Sequence, residues 1–305
     1  MSKVTRGTSA GDAYLDLQNQ ARRTHRPTDE LHQIYALEGF LARLAASPVA
    51  TKFVLKGGML LAAFDTRRPT RDVDLEALAI DNDAEVVLGL IRQVLAIPLP
   101  DDDGLLFDLA SLSAQTIRDE DENGGVRVSA TARLATAQLR FHVDVNVGDP
   151  IWPEPVRVMV PRLRGGAHIE LVGYPLHMVL AEKIVTAAGR GVANTRWRDF
   201  ADVYALIHQH PVDGSLLHRA CVEVATYRNA VLEPLSEVLE GYADVAQGRW
   251  LAWRRRHAYD HLPKDFANVL APVIAFASPA LGGEAGNLTW NPESQAWARR
   301  AARPT

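Results

Sequence analysis

Asp72 and Asp74 in the stretch TRDVDLEAL stand one residue apart, so on a β-strand both carboxylates leave the same face. Two acids that close repel each other unless a cation lies between them, and a divalent metal is the natural neutraliser. Mg²⁺ prefers one or two carboxylates completed by phosphate oxygens. A third carboxylate on a neighbouring strand would let two ions about 4 Å apart clamp a transferring phosphate. Asp144 is the candidate third: in QLRFHVDVNVGDPI, Leu139, Phe141, Val143, Val145 and Val147 take one face, and His142, Asp144 and Asn146 the other. A D-x-D pair alone is also the ordinary wet face of an edge strand. The surrounding residues have to decide.

Upstream, the apolar KFVL runs into Lys56-Gly57-Gly58, then MLLAAF, then the strand that carries the acids. The free N–H groups of a helix start can hold a phosphate, and glycines let the backbone approach it. A phosphate cradle some fifteen residues before a metal pair reads as one functional unit, with Lys56, Gly57 and Gly58 on the nucleotide. Arg67, Arg68 and Arg71 lie close enough in sequence to the acids to serve a triphosphate.

The elements that must position these residues read as α+β. TDELHQIYALEGFLARLAASP has helical spacing, with Thr28 as N-cap and Pro48 closing it. After AEVVLGLIRQVLAIP, a second helix, the pattern shifts to period two in LLFDLASLSAQTI, GGVRVSATARLA and QLRFHVDVNVGDPI, with Gly124-Gly125 as the hairpin signal between the first pair. From Pro175 to about residue 275 everything reads helical. A chain of 305 residues is long for one core and comfortable for two. The expected organisation is a loosely packed or flexible segment at 1–27 and a mixed-sheet domain flanked by helices at 28–174. A helical bundle at 175–278 and a tail at 279–305 follow.

With 47% apolar residues and a formal net charge of −4, the chain is no basic nucleic-acid coat, so any nucleic-acid contact must be a local patch. The best candidate is GRWLAWRRRHAYDHLPK, where Arg254, Arg255 and Arg256 could meet phosphates and Trp250 and Trp253 could stack on unpaired bases. The same spacing equally describes a core face of tryptophans with arginines on its solvated side. The single cysteine, Cys221, sits in an apolar helical run and reads as a core residue. No run of about 18 apolar residues offers a membrane span, and the polar start lacks a signal-peptide core. A reducing cytoplasm is the expected location.

The order of these features resembles the nucleotidyltransferase fold of the DNA polymerase β type. More narrowly, FVLKGGMLLAAF followed by RPTRDVDLEAL, with LEGFLARLAASP before them, is similar to the AbiEii/MenT toxins of bacterial toxin–antitoxin pairs. LAEKIVTAAGRG resembles that family's helical E-K motif, and RDFADVYAL its R-D-x-x-D-h-x-x-L motif. The resemblance covers about residues 30 to 210. It implies Asp72 and Asp74 as metal ligands, Lys183 as the essential lysine and Asp199 as the second-domain aspartate, which positions either Lys183 or the nucleotide sugar. Asp144 would hold a second ion or deprotonate the attacking hydroxyl. Thr70 fills a place where the family often has Ser or Thr, and its hydroxyl either binds a nucleotide phosphate or belongs to a plain β-branched strand residue. Gly57-Gly58 departs from the Gly-Ser turn of many relatives.

What the resemblance implies is a toxin that uses Mg²⁺ or Mn²⁺ to move a nucleoside monophosphate from an NTP to the 3′ end of tRNA, blocking translation and answering to a cognate antitoxin. Two rival readings remain at this stage: transfer to a small-molecule or protein hydroxyl, and a nucleotide-binding regulator without turnover. Salt separates the first, because tRNA transfer should weaken steeply with ionic strength. Toxicity that survives Asp72→Ala would favour the second.

Overall fold

A computed structural model describes residues 4–117, 124–257 and 259–299. Its contacts divide the chain into two compact units, Met1–Asp149 with Pro155–Tyr174, and Pro150–Glu154 with Pro175–Thr305.

The first unit holds helices α1 (Ser9–Thr24) and α2 (Thr28–Ala45), strand β1 (Phe53–Lys56), the single turn α3 (Gly57–Leu60), β2 (Asp72–Ala77), α4 (Ala84–Leu95), and strands β3 (Leu105–Phe107), β4 (Ser113–Ile117), β5 (Gly125–Leu134), β6 (Ala137–Val147), β7 (Val156–Val160) and β8 (Ile169–Gly173). They form a mixed sheet in the order β3-β5-β6-β2-β1-β8-β7, with β4 also on β5. β2 runs parallel to β6, and β1 parallel to β8.

Helix α2 lays Leu31, Ile34, Phe40 and Leu41, all fully buried, on the core. It begins at Thr28 itself: Pro27 takes the cap position and no side chain caps the helix. Proline fits there because its backbone torsion is preset and the first amides need no intrahelical partner. The run expected as one strand from residue 105 is broken, since Asp108 accepts the amide of Ala110 and starts a short 3₁₀ turn between β3 and β4. The turn between β4 and β5, expected at Gly124-Gly125, lies largely outside the described residues. Strands β7 and β8, antiparallel to each other, complete the sheet beyond β1.

The segment before residue 28 is not loose where it is described. Thr8 caps α1 by accepting the amide of Gly11 at 3.1 Å, and Ala13, Leu17 and Ala21, at four-residue spacing, are buried.

The second unit contains α5 (Leu176–Arg190), α6 (Trp197–Ile207), β9 (Val212–Asp213), α7 (Gly214–Tyr227), α8 (Leu235–Val238), α9 (Tyr242–Arg256), α10 (Ala267–Gly282), β10 (Leu288–Asn291) and β11 (Ala296–Arg299). The expected tail is therefore structured up to Arg299. Its hairpin joins β9 in a small sheet, and Trp290 and Trp297 pack on Phe276 with ring centroids 5.0 and 5.3 Å away. Two buried rings, Phe276 and Trp290, with the half-buried Trp297 packed on them, stabilise this segment more than its Gly/Pro composition suggested. Cys221 is fully buried on α7, and burial pushes its thiol up to about 12, so it behaves as core. Among the described residues no helix is long and apolar enough to cross a membrane.

Candidate active site

The parallel pairing of β2 with β6 sets Asp74 opposite Asp144, and the pleat puts Asp72 on the same face two residues earlier. Carboxylate oxygens of Asp72, Asp74 and Asp144 lie within 4.8 Å of one another. Each is held by a different neighbour. The Thr70 hydroxyl donates to Asp72, and the Gly58 amide donates to Asp74 Oδ2 at 3.3 Å. Arg127 on β5 grips Asp144 with Nε on Oδ1 at 2.8 Å and Nη2 on Oδ2 at 2.6 Å. Desolvation, and then the charges of Asp72 and Asp144, raise the Asp74 carboxyl to about 7. That excess of negative charge, in an all-oxygen set, suits a hard divalent cation such as Mg²⁺ or Mn²⁺. The residues present fit such an ion.

Glycine at 57 is required by the acids it faces. Its φ is +63°, and a Cβ there would overlap the Asp74 carboxylate. At Gly58 a Cβ would press on the Thr70 side chain. The turn thus lets a backbone segment lie directly against Asp74, and the Gly58 amide points at a carboxylate in this conformation.

Lys56, expected on the nucleotide, stands opposite Asp74 across β1 and β2 and joins a buried ion-pair network beside the acids. Its Nζ lies 2.6 Å from Asp149 and 3.5 Å from Glu76, while the Asp149 amide donates to Glu76 at 2.9 Å. Desolvation, against the pull of Lys56, raises Glu76 to about 8. Glu76 was missed, although DVDLE alternation places it on the face of Asp72 and Asp74. Arg67 is likewise engaged elsewhere, with Nη1 2.7 Å from the buried Glu38. Arg71 has an exposed side chain.

The second unit gathers its own charged cluster. Lys183 on α5 binds Asp199 at 2.8 Å and Asp202 at 2.9 Å, both on α6, and Arg196 binds the other Asp199 oxygen at 2.7 Å. Burial opposes ionisation of Asp199, yet Lys183 and Arg196 hold it down at about 2. The contact favours Asp199 as a positioner of Lys183, and Asp202 joins it. Both acids stand in RDFADVYAL, three residues apart and hence on one helix face.

The basic run on α9 divides. Arg254 is buried, donating to the carbonyls of Leu262 at 2.9 Å and Asp260 at 2.6 Å, so it closes a turn. Trp250 is fully buried, with Trp253 stacked on it at 5.2 Å. Arg255 and Arg256 remain exposed.

A single family model spans most of both units: residues 39–273 match the nucleotidyl transferase AbiEii toxin of type IV toxin–antitoxin systems. The chain belongs to the AbiEii family. Membership makes it a nucleotidyltransferase toxin by descent and implies an antitoxin partner. No curated protein matches it. Among solved structures, JHP933 from Helicobacter pylori aligns at 13% identity and TM-score 0.50, covering 84% of this chain and 94% of that one. A candidate nucleotidyltransferase from H. pylori gives 14%, 0.50, 84% and 97%. These two support the fold. MenT4, a nucleotidyltransferase toxin from Mycobacterium tuberculosis H37Rv, is similar at 16% identity and TM-score 0.46, over 71% and 70%. The AbiEii match leaves out α1 and the β10–β11 hairpin.

Proposed function

We propose that this AbiEii protein transfers a nucleoside monophosphate from an NTP to the 3′ hydroxyl of tRNA, with Mg²⁺, and thereby stops translation until a cognate antitoxin silences it. The observation that carries the reading is the meeting of Asp72, Asp74 and Asp144 within 4.8 Å across two adjacent strands, in a chain of this family.

In the transfer, the hydroxyl oxygen bonds the α-phosphorus, the bond to the bridging β-phosphate oxygen breaks, and pyrophosphate leaves. The hydroxyl proton passes to a carboxylate of this cluster. Asp72, Asp74 and Asp144 would hold the divalent ion, which supplies charge neutralisation for the phosphates when bound. Thr70 orients Asp72, and Arg127 orients Asp144. Gly57 and Gly58 keep side chains out of the space beside the acids, and Arg71 is free to reach the triphosphate. Lys183, steadied by Asp199 and Asp202, keeps the part that the resemblance gives it as the essential lysine of the transfer. Arg255 and Arg256 are available for RNA phosphates.

The test is cell-free translation. Protein preincubated with tRNA, Mg²⁺ and NTPs should stop synthesis, untreated tRNA should restore it, and the Asp72→Ala protein should do nothing. Uninterrupted synthesis with the folded wild-type protein would refute the reading.

A further inference from the structure

Helix α1 lies outside the matched AbiEii region, and with the loop between β7 and β8 it walls an open cleft of about 810 Å³. A volume in the range of drug-sized ligand sites is far more than one phosphate needs. The last turn of α1 brings Arg22 and Arg23 to the cleft, and the opposite wall brings Leu163 and Arg164. Asn19 and Gln20 add side-chain amides. The one acid in the lining, Asp16, is neutralised by Arg164 at 2.8 Å and Arg6 at 2.9 Å. Arg22 and Arg23 are exposed, and among the described residues neither has an acidic partner.

The opposite wall is fixed. The Leu163 amide donates to both oxygens of the buried Glu38 at 3.0 and 3.1 Å, and Arg67 bridges Glu38 and the Pro161 carbonyl. Arg67 stands five residues before Asp72, so the cleft wall and the catalytic strand's entry share one anchor within the first unit.

We infer that this cleft grips the phosphate backbone of the RNA acceptor, through Arg22, Arg23 and Arg164, with Asn19 and Gln20 hydrogen-bonding to sugar or base edges. The lining chooses RNA over protein. Stable protein interfaces centre on apolar or aromatic anchors, and Leu163 alone is apolar here. Arginines with amides are what phosphate and base-edge contacts use. The α1 C-terminus carries partial negative charge, so the grip must come from side chains reaching past it. The inference rests on the nucleic-acid acceptor proposed above.

The experiment is fluorescence anisotropy with the full chain and labelled tRNA over a series of salt concentrations, comparing wild type with the double variant Arg22→Gln plus Arg23→Gln. A control, Arg133→Gln plus Arg140→Gln, makes the same change in net charge at two exposed strand positions. Loss of two phosphate contacts should lower the slope of log K against log salt by roughly 1.5 and weaken binding roughly tenfold at moderate salt. The control should leave both unchanged. Thermal midpoint and NTP binding of the double variant should match wild type, which removes misfolding as a cause. Wild-type binding with an unchanged slope in the double variant would overturn the cleft and leave the proposed function standing. Wild type that binds no RNA would overturn both. Stoichiometric displacement of tRNA by polyglutamate without any loss in the double variant would also overturn it.

Discussion

Arg127 meets both carboxylate oxygens of Asp144, at 2.8 and 2.6 Å, so one of the three clustered acids is already balanced by a guanidinium. The pair sits directly across β5 and β6, and the Arg127 side chain is 35% exposed while Asp144 is 10% exposed. A bidentate pair of this kind takes one lone-pair direction on each Asp144 oxygen and competes there with a bound cation. Arg127→Ala should therefore act in two opposed ways. Without Mg²⁺ the variant loses about 1–3 kcal/mol, the cost of leaving a charged acceptor unpaired. With Mg²⁺ its melting midpoint rises by more than that of wild type. Melts with and without the ion check this, and an equal rise in both proteins would contradict it.

At the Gly-Gly turn the prediction is a contrast between two glycines. Gly57→Ala forces a side chain into a positive φ and against Asp74, which should cost about 1–2 kcal/mol for the backbone alone and abolish stabilisation by Mg²⁺. Gly89, inside α4 with open space around its missing side chain, should gain about 0.5–1 kcal/mol as alanine. Urea titrations of both variants provide the measurement.

Asp199 makes acid stability readable. Its carboxyl is held at about 2 in the folded chain against an ordinary 3.8. A depressed folded value means that the stabilisation is present above the unfolded value and drains away as pH falls from about 4 to about 2. The shift corresponds to about 2 kcal/mol. Asp199→Asn should lose that amount at neutral pH and show a flatter decline across the same window, as followed by circular dichroism.

Two neighbours on α9 should behave differently although the sequence presents them as one basic run. Arg254→Ala strands the carbonyls of Leu262 and Asp260 and should cost about 2–4 kcal/mol. Arg256→Ala, at an exposed position, should stay within about 0.5 kcal/mol of wild type. Chemical denaturation of the two proteins side by side decides.

Why some of this was legible and some not has physical reasons. Alternation on a strand is a strict rule, so the shared face of Asp72, Asp74 and Glu76, and the placing of Asp144 away from the apolar side, could be counted from residues alone. Arg127 followed the same rule but needed a register. The turn after Leu134 sets Leu134 against Ala137 and hence Arg127 against Asp144. Ala135 at φ 49° makes that turn, and alanine there carries none of the Gly or Asn signature by which such turns are recognised. The ion pair of Lys56 was not legible because it depends on Asp149, ninety-three residues away, a distance that no local pattern spans. The tail was misjudged because its order comes from Trp290 and Trp297 packing on Phe276, a tertiary gain that outweighs local Gly and Pro content.

The central claim is nucleotidyl transfer to tRNA by the clustered acids. Its most direct test is to incubate the purified protein with total tRNA, Mg²⁺ and each labelled NTP in turn. The account predicts label entering tRNA at its 3′ end from at least one NTP, lost in Asp72→Ala and in Lys183→Ala. No label from any NTP with the folded wild-type protein, or undiminished label in Asp72→Ala, would contradict it.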